Sequence, residues 1–201
     1  PLVEQLAEIV GVRNRDQEIQ QLFATLTTIK PTARSEFDPL LGSVVTALGR
    51  GLKRARSGLT GYAEEGGVVA KLFAAAETVT NDKSADEETR QRAVALLAHG
   101  RFDRAQPVLA DLLDPRQPPL LQLAAVHALS GFANPAVATI LLDAYPQLTP
   151  SVRSEIVEAL STRTERIKPL LDAIGAGRIA AAEVTPIRRG LLLKHRDADI
   201  Q

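Results

Sequence analysis

Three histidines, His99, His127 and His195, are the side chains best suited to ligate a metal or a haem. They are scattered along the chain, with no second His one helical turn away from any of them. There is no Cys to complete a zinc site or a Cys-x-x-Cys-His haem attachment. Ser151, Ser154 and Ser161 stand in no Gly-x-Ser-x-Gly turn, so none reads as a nucleophile. Gly61 and Gly66-Gly67 lack the Gly-Lys-Ser/Thr that would make a phosphate loop. Asp82, Asp86, Glu87 and Glu88 do not have the spacing of a calcium loop. The expectation is a segment with no catalytic, cofactor-binding or metal-binding residue, hence no enzyme and no cofactor. His99 and His195 read as cations at helix C-termini, where the dipole is negative, and His127 as a hydrogen-bonded core residue. Arg50, Lys53, Arg54 and Arg56 read as a solvated last helical turn.

Composition narrows the class further. The 201 residues carry 24 Lys and Arg against 24 Asp and Glu, so the net charge is zero. That balance disfavours a nucleic-acid-binding solenoid, which needs a basic stripe. Aromatic residues make up 3% of the chain, too few for base stacking. Apolar runs reach about ten residues, whereas a membrane span needs about 20, so no membrane insertion is expected. With 28 Leu and 30 Ala the chain is built for helices. It opens on Pro1 and holds no Met, which leads us to expect a piece of something longer.

Helical periodicity runs throughout. Leu2, Leu6, Ile9 and Val10 mark one helix, and Ile19, Leu22, Phe23, Leu26 and Ile29 another, divided near Gly11 and the charged run 13–18 and ended by Pro31. A third is expected over 35–56, weakened by Gly42, Gly49 and Gly51 at about 1 kcal/mol each. A glycine-rich loop follows over 57–67, then a helix over 68–79. Ser84 and Glu87 have the spacing of a capping box. Asn134-Pro135, Thr149-Pro150 and Thr185-Pro186 are helix starts, a capping side chain followed by proline.

From residue 84 onward the helices come in pairs. Leu97, Leu129 and Leu160 hold like places in the first helix of three pairs, 32 and 31 residues apart. Leu109, Ile140 and Leu171 hold like places in the second helix, 31 and 31 apart, and are expected to be equally buried. A period near 31 made of two amphipathic helices is the signature of an α-solenoid. A surplus lies at 176–184, and Leu96-Leu97-Ala98-His99 is echoed by Leu192-Leu193-Lys194-His195. The run Arg196-Asp197-Ala198-Asp199-Ile200 reads as the entry to another helix. The carboxyl end is therefore expected to be an open repeat face, with weak self-association through Ile187, Leu191 and Leu192.

Leu112-Leu113-Asp114-Pro115 followed by Gln122-Leu123-Ala124-Ala125-Val126-His127-Ala128-Leu129 resembles a HEAT repeat. The Arg that such repeats carry early in a helix matches Arg90, Arg153 and Arg188, with Gln122 in that place in the best-patterned unit. Over 148–197, the runs Leu148-Thr149-Pro150-Ser151-Val152-Arg153, Leu170-Leu171-Asp172-Ala173-Ile174-Gly175-Ala176-Gly177-Arg178-Ile179 and Thr185-Pro186-Ile187-Arg188-Arg189 resemble the helical region of planctomycete-type membrane-bound dehydrogenases. In that family the helical array joins a β-propeller to a haem-binding cytochrome c domain. The resemblance implies a periplasmic or membrane-associated setting.

The reading is an all-α fold, a right-handed α–α superhelix of HEAT/ARM-like repeats. Residues 1–83 form an irregular helical segment, a cap or degenerate repeats, and residues 84–201 the regular pairs. The expected function is a non-catalytic scaffold or protein-interaction domain, a connector inside a larger redox protein. The alternatives are a segment that docks or holds an electron-transfer cofactor, and a nucleic-acid-binding solenoid. Expected partners are proteins or neighbouring domains of the same chain. Arg104, Asp111, Asp143, Arg166, Lys168 and Asp172 are the candidate exposed partner-binding residues.

Overall fold

The structure, a computed structural model, describes residues 2–28, 37–63, 67–197 and 200. Eleven α-helices follow one another among these residues, and there is no strand. They are α1 (Leu2–Arg13), α2 (Asp16–Thr28), α3 (Pro39–Arg54), α4 (Val68–Asn81), α5 (Glu87–Leu97), α6 (Phe102–Asp111), α7 (Pro119–Ser130), α8 (Ala136–Ala144), α9 (Pro150–Ser161), α10 (Thr164–Gly175) and α11 (Pro186–Leu192). The expected all-α class is what is found. The chain divides into two compact units, residues 1–108 and 109–201.

In the first unit α1 packs on α3, α3 on α5, α4 on α5 and α2 on α4. The closest crossing is made by glycine. A Cβ on Gly51 would fall 2.1 Å from the Glu8 carbonyl oxygen, and one on Gly11 would fall 2.3 Å from that of Leu48. Only two side-chain-free positions let the α1 and α3 backbones meet so closely. Gly11 therefore lies inside α1 and does not divide two helices. The same crossing decides which face of α1 is buried. Ala7 and Gly11 go in, while Leu2, Leu6 and Ile9, the stripe by which the helix is recognised, stay at least half exposed.

Helix starts are refined in the same unit. Asp38, not residue 35, begins α3, with its carboxylate accepting from the amides of Leu40 and Leu41 at 2.9 and 3.1 Å. Pro31 and Ser35 lie outside the described residues, as does Ile29. The Ser84–Glu87 box does not form. Asp86 caps α5 by accepting from Thr89 N at 2.8 Å, and Ser84 instead donates to Asp82. Asp86 takes over because its φ and ψ of −65° and 152° place its carboxylate over the free amides. The 57–67 loop contains a 3-10 turn, Leu59–Tyr62, that buries Leu59 and brings the Tyr62 hydroxyl to Asp16 at 2.7 Å.

In the second unit first helices pack on first helices and second on second, α7 on α9 and α8 on α10. Leu129 and Leu160 are fully buried at the expected places, as is Leu97 in the first unit. The second helices are offset from the expected register. Leu109 is fully buried, but Ile140 and Leu171 are half-buried, and the fully buried residues are Leu141 and Leu170. The buried first-helix and second-helix leucines are 12 residues apart in the first two pairs (97 to 109, 129 to 141) and 10 in the third (160 to 170), so within a pair only the short turn before α10 shifts the register. Four residues join α5 to α6, five join α7 to α8 and two join α9 to α10. Each lost residue rotates the second helix by about 100° relative to its partner. After α10 the chain turns through Gly177 at φ +71°, with Gly177 N on the Ile174 carbonyl and Arg178 N on that of Ala173. That is a Schellman ending, which glycine accommodates without strain.

The place marked by Arg90, Gln122 and Arg153 has one job. Arg90 Nε donates to the Thr80 carbonyl at 2.9 Å, and Gln122 Nε2 to that of Asp114 at 2.9 Å. Arg153 Nε donates to the Tyr145 carbonyl at 3.1 Å and Nη2 to that of Pro146 at 2.6 Å. Each bond reaches the carbonyl end of the preceding helix. Arg188 departs from this pattern and pairs with Glu158 across α9 and α11. Ile187, Leu191 and Leu193 are exposed and Leu192 is buried, while Ala198 and Asp199 lie outside the described residues.

The register shift has a direct test. Leu170→Ala should cost about 2–5 kcal/mol in urea unfolding, the range for a fully buried leucine, and Leu171→Ala clearly less. Equal losses would restore the even 31-residue register.

Candidate functional site

Second helices that stack side by side present their remaining faces to solvent. Between α8 and α10 this leaves a groove of about 260 Å³ lined by Thr139, Leu142, Asp143, Pro169, Asp172 and Arg178. Ala138, Leu141 and Leu142 are buried, and Thr139 and Asp143 stand on the exposed face of the same turns. α10 repeats the device. Leu170 and Ala173 are buried, while Lys168 and Asp172 stand on the outside, 3.3 Å apart as an i,i+4 pair. Arg178 reaches the groove because the Schellman turn at Gly177 folds the chain back.

Of the six expected partner-binding residues, the groove brings together Asp143 and Asp172, with Lys168 beside the latter. Asp111 is exposed at the end of α6. Arg104 is exposed in the first unit and holds Glu77 at 2.7 Å. Arg166 is a correction, because it is fully buried. Its Nη1 donates to the Ser130 carbonyl at 3.1 Å and its Nη2 to that of Phe132, while Arg163 Nη2 donates to that of Gly131 at 3.3 Å. Burial, and then the neighbouring Arg163, pull the Arg166 pKa below its ordinary value. Spacing alone could not separate it from Lys168, because the two-residue turn before α10 rotates Arg166 inward.

Sequence reasoning missed Arg178 and Thr139. The only available signal was the Gly177 turn next to Arg178. It also missed a clasp on the 176–184 surplus. The buried Tyr145 hydroxyl bonds the Glu183 carboxylate, and Arg153 lies over the Tyr145 ring at 5.2 Å.

The histidines are used structurally. His99 is no cation. Its ring packs against α3 so closely that a Cβ on Gly49 would fall 2.7 Å from its Cγ. Burial, and then the Lys53 and Arg50 charges, push its pKa down from 6.5 to about 4. His127 is exposed rather than in the core, with Nε2 3.1 Å from Glu155 Oε2. His195 is half-buried, and its Nδ1 accepts from Asp197 N at 3.1 Å. Arg50 and Arg54 share Glu8, at 3.3 and 2.6 Å, so this part of the basic cluster ties α3 to α1. Among the described residues no group of His, Asp and Glu is placed to hold a metal, and no helix is long and apolar enough to cross a membrane.

His99 makes stability depend on pH. Its folded pKa lies below its unfolded value, so its contribution is complete above pH 6.5 and is lost as the pH falls towards about 4. The full span is on the order of 3 kcal/mol. Urea unfolding at pH 7 and pH 4.5 should show the wild type losing more stability than His99→Gln. Parallel losses would mean that the imidazole titrates normally.

No curated protein and no solved structure gives a significant match to the chain. Residues 78–161, from the end of α4 to the end of α9, match the family model for HEAT repeats. Sequence period, paired helices and family match agree, and this part of the chain is a HEAT-like repeat region.

Proposed function

We propose that the chain is a non-catalytic helical-repeat scaffold that holds protein partners on the groove between α8 and α10. HEAT repeats commonly mediate protein interactions, and residues 78–161 match that family. The observation that carries the reading is the division of labour on α8 and α10. One face of each is spent on stacking, and the other offers Asp143 and Asp172 to solvent at a concave site that Arg178 reaches from the turn after α10. A recess with charges at its mouth favours orientation and specificity over bulk hydrophobic capture. The resemblance over 148–197 supplies the finer proposal, that the partners are the propeller and cytochrome c domains of a redox protein. In that reading the segment positions those domains and holds no cofactor itself.

Titration of the chain with separately produced propeller and cytochrome c domains of a planctomycete-type dehydrogenase tests this. Saturable binding is expected, weakened about tenfold by Asp143→Lys with Asp172→Lys, since like charge at a docking site is costly. The melting temperature of the double variant should be unchanged. No binding of either domain, or binding indifferent to the charge reversal, would remove the proposal.

A further inference from the structure

A second concave site lies in the first unit, where α1, α3 and α5 meet. It encloses about 130 Å³ and is lined by Glu4, Ser43, Thr46, Arg50, Arg92 and Ala95. Five of those six side chains are polar.

With Thr80, Thr46 is one of two helical threonines among the described residues whose buried hydroxyl is orphaned. It is 7% exposed, and its Oγ1 is buried with no hydrogen-bond partner. A threonine inside a helix ordinarily satisfies its hydroxyl on the carbonyl three or four residues back. Thr25 and Thr78 do so here, bonding Gln21 and Ala74 at 2.9 and 3.1 Å. Thr46 does not, and an orphaned buried donor is costly. Ser43 stands one turn earlier on the same helix and lines the same recess.

The cations are arranged to leave capacity. Arg50 shares its acid, Glu8, with Arg54, so two guanidinium groups stand against one carboxylate. Arg92 pairs with Glu88, whose side chain is 73% exposed, a solvated contact that a better acceptor can replace. Each guanidinium has five donors, most of them unused by these pairs. Glu4 is the opposing group, a carboxylate on α1 at the edge of the same recess. It accepts hydrogen bonds and repels a fully ionised anion.

We propose that this recess is a binding site for hydrogen phosphate. Arg50 and Arg92 neutralise the ion, the Ser43 and Thr46 hydroxyls donate to its oxygens, and Glu4 accepts its remaining proton. The pairing of two guanidinium groups with one carboxylate selects an oxyanion that is both charged and still protonated. Sulfate has no proton to give at neutral pH. A phosphate monoester has mostly lost its own, since its second pKa is about 6.

Isothermal titration of the whole chain with sodium phosphate at pH 7.5 in dilute chloride buffer tests the assignment. One saturable site is expected, with sodium sulfate and glycerol phosphate each bound about tenfold more weakly, the effect of one lost hydrogen bond to a charged group. Thr46→Val and Arg92→Gln should each weaken phosphate by a similar factor, and Thr46→Ser should retain it. Glu4→Gln should erase most of the preference for phosphate over sulfate. Unliganded melting temperatures show whether each variant is folded, and Thr46→Ser keeps the comparison valid if Thr46→Val is not. No saturable phosphate binding, binding equal in wild type and Thr46→Val, or sulfate bound as well as phosphate would each overturn it.

Discussion

Every α-helix ends in carbonyl groups that no amide of the same helix can reach. In this chain the ends of α4, α7 and α8 and the turn after α6 are met by side chains of the helix pair that follows. Arg90 serves the end of α4, Gln122 the turn after α6, and Arg153 the end of α8. Arg163 and Arg166 do the same for the end of α7. Stacking of apolar faces brings successive pairs together without fixing their offset. A polar side chain reaching a particular carbonyl does fix it, because a slip of one residue would leave a buried oxygen without a donor. This is why Arg90, Gln122 and Arg166, all nearly or fully buried, are tolerated in an apolar interior. It also explains why Gln can replace Arg, since the site asks for an N–H and not for a charge.

The surface follows from that constraint. Once the stacking faces and the donor positions are committed, the second helices keep only their outer turns for contacts, and Asp143, Lys168 and Asp172 occupy them. The surplus at 176–184 does not disturb the array, because the Schellman turn at Gly177 and the Tyr145–Glu183 bond return it to α8 and α9. The first unit solves its closest contact differently, with Gly11 and Gly51 in place of interlocking side chains. That choice leaves the apolar stripe of α1 facing outward.

The sequence made the helix pairs legible because a long apolar periodicity survives small errors. The resemblance to HEAT repeats marked 90, 122, 153 and 188 as equivalent, and the structure keeps the first three together while Arg188 pairs with Glu158. The exposure of Arg166 and the register of Leu171 were not legible. Both depend on the two-residue turn before α10, and each lost residue rotates a helix by about 100°. Gly51 read as a weak point of α3, because a close crossing is a property of two helices and neither sequence segment contains it alone. His99 read as a cation because its place after α5 was visible and its burial against Gly49 was not. For the α8–α10 groove, Asp143 and Asp172 could be named from spacing. Arg178 enters through a turn that follows the helix and has no periodicity of its own.

The most direct measurement exchanges the donor at one of these places. Arg153→Gln puts into the α9 pair the residue that the α7 pair already uses, and Arg153→Met keeps the apolar stem but removes every N–H. In urea unfolding, Arg153→Met should cost about 0.5–1.5 kcal/mol, the net worth of hydrogen bonds to partly exposed carbonyls, and Arg153→Gln less than half of that. If the two variants lose stability equally, or if neither loses any, the position does not act by donating to the preceding helix end, and the stacking offset must be set by apolar packing alone.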